Sequence, residues 1–240
     1  MINLEKYEDV FLMSMDAGEN RWNTTFVRAF SAALDEVEAS AGPAAVVTTA
    51  TSEKFYSNGL DLDWAKAPEE YPDAGDRKVF GDEFMKLMSR IITFPMPTVA
   101  AINGHAFGAG FMCALCHDVR VMRIDRGFIC ANEMQLGMRI PEPELALFKH
   151  KLPANTFFET VQLARRWTGP AALAGGIVQE TADSETLRDQ AMATAARLAP
   201  LGANRENYRA QKEAIYGENA ALNGPHGAAY MLRNLDQYHH

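Results

Sequence analysis

The sequence predicts an α/β core followed by a helical C-terminal region. Short runs at residues 45–49 and 98–102 read as buried strands, 119–122 is a further strand candidate, and stretches of helical apolar spacing lie between them. After Pro141 the pattern turns mainly helical and stays so to the end. No internal repeat or low-complexity tract interrupts the 240 residues.

A first strand is read over residues 7–15, with Val10, Leu12 and Ser14 on one face. Asn23 or Thr24 can cap a helix whose apolar positions Phe26, Phe30, Ala33, Leu34 and Val37 stop before Gly42-Pro43. The strand at 45–49 follows. Residues 64–76 are rich in Pro, Glu and Asp and read as a mobile surface loop. Phe80, Phe84, Leu87, Met88 and Ile91 then mark a second amphipathic helix, and the strand at 98–102 ends at Asn103-Gly104. Helices are expected over 144–151, 155–166, 184–198, 205–216 and near 227–235. The chain thus divides into a core over residues 1–180 and a helical region over residues 181–240, which must pack on that core or on another subunit.

With 48% apolar and 22% charged residues the composition is that of a globular protein, and the formal net charge of -8 opposes non-specific binding to nucleic acid or an anionic membrane. It leaves room for a phosphorylated small ligand held by a few local cations. No run of about 18 apolar residues is present, so no spanning helix is expected. The first residues turn acidic at once, unlike a signal peptide, and Gln237-Tyr238-His239-His240 is not a peroxisomal Ser-Lys-Leu address. His239 and His240 read equally as native residues or as the stub of a purification tag. The expected compartment is the cytoplasm, which suits an odd set of three cysteines, Cys113, Cys116 and Cys130. Cys113-Ala114-Leu115-Cys116-His117 matches a haem-attachment pattern, but its apolar setting reads as core packing.

Two glycine-bearing loops, each after a strand, carry the chemistry. The first runs Phe55-Tyr56-Ser57-Asn58-Gly59-Leu60-Asp61-Leu62, the second Asn103-Gly104-His105-Ala106-Phe107-Gly108-Ala109-Gly110-Phe111. Glycine permits sharp turns and close approach to a ligand, and the N–H groups freed at such turns favour negative charge. Two of them converging on one point would stabilise an oxyanion.

In this order the loops resemble the crotonase (enoyl-CoA hydratase/isomerase) family. There a Ser-x-Gly-x-Asp-Leu loop and an Ala-Ile-Asn-Gly-x-Ala-x-Gly-x-Gly segment each supply one oxyanion donor, matched here by residues 57–62 and 101–110. Residues 132–138, with Glu133, Leu136 and Gly137, resemble the family's Glu-x-x-Leu-Gly segment, and 174–178 match a later signature more loosely. The resemblance spans residues 7–178 and implies a crotonase-like ββα core. It places the oxyanion N–H groups on Leu60 and Ala109 and an acid or base on Glu133. Asn58, Gly59, Gly108 and Met112 fall at the substrate, and Arg21 and Lys54 are candidates for the coenzyme A phosphates.

Family hydratases carry a second catalytic Glu three residues after the second oxyanion donor, where this chain has Met112. Adding water is helped by two carboxylates, whereas moving a double bond needs one base. The resemblance therefore implies a Δ3,Δ2-enoyl-CoA isomerase, and residues 58–64 and 125–128 look like plant-type isomerases. Glu133 would take a proton from C2 of a 3-enoyl-CoA and return it at C4, with the intermediate charge on the thioester oxygen. No metal or redox cofactor is implied, since coenzyme A is part of the substrate. The family forms trimers or pairs of trimers. The alternatives are an enoyl-CoA hydratase or other crotonase-type enzyme, and a non-catalytic acyl-CoA-binding protein. Met112, Phe111 and Met138 line the pocket or belong to the core. Asp61 and Asp118 read as structural, while Glu142 and Glu144 either offset a helix dipole or supply a second carboxylate.

Overall fold

The computed structural model describes residues 1–238, and His239 and His240 lie outside the described residues. Its first element is a hairpin, β1 (Ile2–Tyr7) and β2 (Val10–Met15), turned at Glu8 with φ 52°. The expected single strand therefore begins at Val10, and β1 adds an edge whose Asn3 and Glu5 alternate with Ile2 and Leu4, with an exposed Lys6 after them. Charges of that kind suit an edge strand that must not pair with other chains. β2 is buried on both faces, with Phe11, Met13 and Met15 toward one core and Val10 and Leu12 toward another.

α1 (Thr24–Glu38) starts where Asn23 caps it, its side chain accepting from the Phe26 amide at 2.9 Å. β3 (Ala45–Ala50) and the short β4 (Phe55–Ser57) follow. The segment expected as a mobile loop instead forms α2 (Leu62–Lys66) and two 3₁₀ turns, Pro68–Glu70 and Pro72–Ala74. Trp64 holds it down: the ring is fully buried, packs edge-on against Phe80 at 5.4 Å, and donates to the Gly75 carbonyl at 3.1 Å. Then come α3 (Arg77–Ile92), β5 (Thr98–Ile102), β6 (His105–Phe107), α4 (Ala109–Cys116), β7 (Val119–Arg123) and β8 (Ile129–Cys130).

The helical stretch comprises α5 (Glu142–Lys151), α6 (Ala154–Val161), α7 (Gly169–Ala174), α8 (Leu187–Leu198), α9 (Arg205–Tyr216), α10 (Ala220–Asn223) and α11 (Ala228–Arg233). One strand interrupts it: β9 (Glu180–Ala182), where the expected boundary between core and helical region falls. α6 ends short of its expected length because Ala164, at φ 47°, turns the chain and Trp167 pairs with Ile129.

The strands form a six-stranded sheet, β1-β2-β3-β5-β7-β9, parallel except for the β1–β2 pair, and a small parallel sheet, β4-β6-β8. Strands covered on both faces read as largely apolar runs, which is why β3 and β5 were legible, whereas β7 carries a buried Arg120 among its valines. On one face, Ala191 and Ala195 of α8 let that helix lie close over Val47, Val99 and Val121. The other face carries the larger core with α1, α3, α4, α5 and α11. α11 buries Ala228, Ala229 and Leu232 against α3 and α5, and Ser89 donates to the Ala229 carbonyl at 2.9 Å.

Below α4 lies a buried polar layer. His117 bridges Thr48 at 2.9 Å and the Cys113 carbonyl at 2.9 Å, and its burial lowers its pKa to about 4. With Cys113 and Cys116 also fully buried, the Cys-x-x-Cys-His run is core. Asp118 accepts from the Thr98 amide at 2.9 Å and from Tyr208 at 3.2 Å. Lys212 Nζ stands 2.8 Å from Asp118 in a largely buried ion pair. α9 is pinned to the core through these groups.

Candidate active site

The small sheet builds the site. Its strands run parallel, with Ser57 opposite Ala106 and Phe107 opposite Cys130, so the loops that follow β4, β6 and β8 leave the same edge together. Those loops carry Asn58-Gly59-Leu60, Gly108-Ala109 and Asn132-Glu133. A crevice at the carboxyl ends of parallel strands is the usual place for a ligand in such sheets.

Each loop is fixed by bonds the sequence supplies. Ser57 is fully buried and donates to the Asn20 carbonyl at 2.7 Å, and Asn58 donates to Glu19 at 2.9 Å. Gly59 holds φ 82° with no room for a side chain, since a Cβ there would lie 2.8 Å from the Phe107 carbonyl oxygen. The same position is 3.8 Å from the Ala109 nitrogen, which measures how closely the two loops approach. Asp61 accepts from the Trp64 amide at 3.4 Å and from Asn23 at 3.2 Å, so it closes its loop as a helix cap. Gly108, at φ 47°, turns the chain from β6 into α4 and leaves Ala109 as the first residue of that helix. Gly110 packs on Ser57, and a Cβ there would meet it at 2.7 Å.

Glu133 opens a 3₁₀ turn, Glu133–Leu136, that Gly137 ends in the left-handed region. Its Oε1 reaches to 2.9 Å from where a Gly108 Cβ would stand, so the carboxyl overlies the turn that presents Ala109. Its Oε2 is buried without a hydrogen-bond partner. Burial raises the Glu133 pKa above the ordinary carboxylate value of 4.5. Glu144, in the first turn of α5, is pushed up further, to about 8, first by burial and then by the Glu133 charge.

The structure therefore gathers Asn58, Gly59, Leu60, Gly108, Ala109 and Glu133 around one pocket, closed by Leu62, Phe107, Leu136 and Met138. Met112 lies outside that lining, on the buried side of α4 at 1% exposure, and Phe111 is core against Phe148. Arg21 borders a separate hollow with Met1 and Asp61 and is tied to Glu19 and Asp63, both at 2.7 Å. Lys54 is exposed with its ammonium 4.8 Å from the Phe55 ring centre. Of the two weighed acids, Glu142 is exposed, while Glu144 is partly buried and feels Glu133. Backbone amides at a turn and a helix start, facing a buried carboxyl, are suited to binding a carbonyl whose neighbouring carbon gives up a proton.

A family model described as enoyl-CoA hydratase/isomerase matches residues 5–239. An Arabidopsis thaliana protein, enoyl-CoA delta isomerase 2, peroxisomal, is 32% identical over 77% of this chain and 79% of its own length. Enoyl-CoA delta isomerase 3 of the same plant is 29% identical over 91% and 93%. Among solved structures, an enoyl-CoA isomerase from Mtb superposes with a TM-score of 0.75 at 27% identity, covering 88% of this chain and 89% of that one.

Proposed function

The chain belongs to the enoyl-CoA hydratase/isomerase family, and from that premise we propose that it converts 3-enoyl-CoA to 2-enoyl-CoA. The observation that carries this reading is the Glu133 carboxyl, buried, without a hydrogen-bond partner at Oε2 and seated over Gly108 beside the Ala109 amide. The thioester oxygen accepts from the Leu60 and Ala109 amides, which places C2 below Glu133. Glu133 removes a C2 proton, and the electron pair moves into a dienolate whose charge rests on that oxygen. A proton then returns at C4. These steps move protons only and call for no metal or redox cofactor, coenzyme A entering with the substrate.

Met112 is what separates this reading from a hydratase. Its thioether is buried on α4 where family hydratases carry their second Glu, so α4 itself offers no second carboxylate to hold and activate a water. The relatives described as delta isomerases point the same way. The purified protein should isomerise 3-enoyl-CoA much faster than it adds water to 2-enoyl-CoA under the same conditions. Equal or faster hydration overturns the isomerase reading and leaves the family membership standing.

Asn58, Gly59 and Gly108 belong to the substrate-contacting edge in this proposal. Arg21 is available to the coenzyme A phosphates only by giving up Glu19 and Asp63, and Lys54 is free to turn toward them. Three free buried cysteines suit a reducing compartment, in keeping with the cytoplasm. No helix among the described residues is long and apolar enough to cross a membrane. Met134 (46%), Leu136 (51%) and Met138 (42%) are exposed beside the site, which supports assembly with further copies as a trimer or pair of trimers.

A further inference from the structure

We propose that Glu144 is the second proton-carrying group of this site: Glu133 takes the C2 proton, and Glu144, presented from the first turn of α5, gives a proton to C4. The inference rests on the isomerase reading and deepens it. It replaces the single-carboxyl shuttle expected from the sequence.

The placement follows from how α5 lies on α4. Glu144, Phe148 and Lys151 are four and three residues apart and so share one face of α5. Lys151 donates to the His117 carbonyl at 3.2 Å, at the C-terminal end of α4. Phe148 meets Phe111 edge-on at 5.3 Å, in the N-terminal half of that helix. The same row, continued one turn, brings Glu144 toward the start of α4, where Ala109 and Met112 stand. α5 thus supplies a carboxyl at the end of α4 whose own sequence offers a thioether.

The surroundings keep that carboxyl protonated. The elements packed on α5 are α4, α6, α11 and the last 3₁₀ turn, Leu235–Tyr238. They bring Cys113, Cys116, Glu159, Tyr230, Arg233, Asp236 and Tyr238, while α5 itself has Glu142, Lys149, His150 and Lys151. Arg233 is engaged by Glu213, and Lys151 lies over Tyr216. No cation pairs with Glu144 among the described residues, and the charge that acts on it is Glu133. Burial and that charge hold its proton up to about pH 8, so at neutral pH the pair is one carboxylate and one acid.

The step balances with nothing added. The C2–H bond breaks toward Glu133, the dienolate forms, the Glu144 O–H bond breaks as C4–H forms, and the proton on Glu133 then passes to Glu144. The test is Glu144→Gln in the full chain, assayed on 3-enoyl-CoA across the pH range around 8, with Glu144→Asp beside it. Gln should lower kcat by about 10²-fold with KM little changed. It should also remove the loss of activity that the wild type shows as pH rises through about 8. Asp, which keeps a carboxyl, should recover part of both. Wild-type kcat and an unchanged pH profile in Glu144→Gln overturn the proposal alone. A wild-type protein that does not isomerise 3-enoyl-CoA removes the isomerase reading and this inference with it.

Discussion

Glu133 illustrates how much one side chain gains from where its backbone leaves it. The 3₁₀ turn that begins there lays the carboxyl over Gly108, and burial without a partner at Oε2 makes it a stronger base than a surface carboxylate. Glu133→Gln should keep the fold and coenzyme A binding and lose about 10²- to 10⁴-fold in isomerisation, because an amide cannot accept the C2 proton. Since the base acts ionised and burial raises its pKa, wild-type activity should climb with pH through a value above 4.5. Near-normal turnover in the variant would move the chemistry elsewhere. Leu60, Ala109 and Glu133 were legible because each sits in a short pattern with its glycine beside it. Glu144 was no more than one of two weighed acids, because its seat near Glu133 depends on how α5 docks and no local pattern encodes that.

Elements decide the rest of the site's geometry. The small sheet is three strands of three, three and two residues, too short for any periodicity to register, and its partners lie about fifty and twenty residues apart in the sequence. β1 escaped for a related reason, its alternation being blurred by Lys6 and Tyr7. α2 was read as a loop from its prolines and acids, though a buried tryptophan anchors it. The turn from β6 to α4 gives the element-scale test. Gly108→Ala puts a methyl 2.9 Å from Glu133 Oε1 at φ 47°, so it should displace the carboxyl and lower turnover at least about tenfold. Its cost in stability should be about 1–3 kcal/mol, because φ 47° with ψ -118° is a sparsely populated conformation for any residue with a side chain. Gly18→Ala is the control: it shares a positive φ of 64° but has nothing within 4 Å, so it should carry the strain and spare the activity. Equal turnover in both variants would detach the turn from the chemistry.

At the scale of the whole molecule, the helical stretch after Pro141 is part of the core, held by buried polar contacts as well as apolar ones. Burial pushes the Asp118 pKa up, but Lys212, Lys151 and the Thr98 amide outweigh it and leave the value below 3.8. A depressed carboxyl stabilises the fold above its unfolded pKa and loses that contribution as pH falls through the folded one. Asp118→Asn should therefore cost about 3–5 kcal/mol in denaturant unfolding at neutral pH, by leaving Lys212 buried without its counter-charge. The gap from wild type should narrow in acid. A variant of wild-type stability at neutral pH would remove α9's anchor from the account.

The seat of α11 carries a consequence for how the protein comes into being. The Ser89–Ala229 bond joins positions 140 residues apart, and β9 completes the large sheet beside β7 only after α4 to α7 have been made. A nascent chain reaching residue 200 has all of α3 but nothing yet to cover the strip where Ala228, Ala229 and Leu232 will settle. That strip stays open to water, and to other unfinished chains, until translation delivers the last turns of helix. High contact order of this kind slows folding and lengthens the interval in which a chaperone can matter.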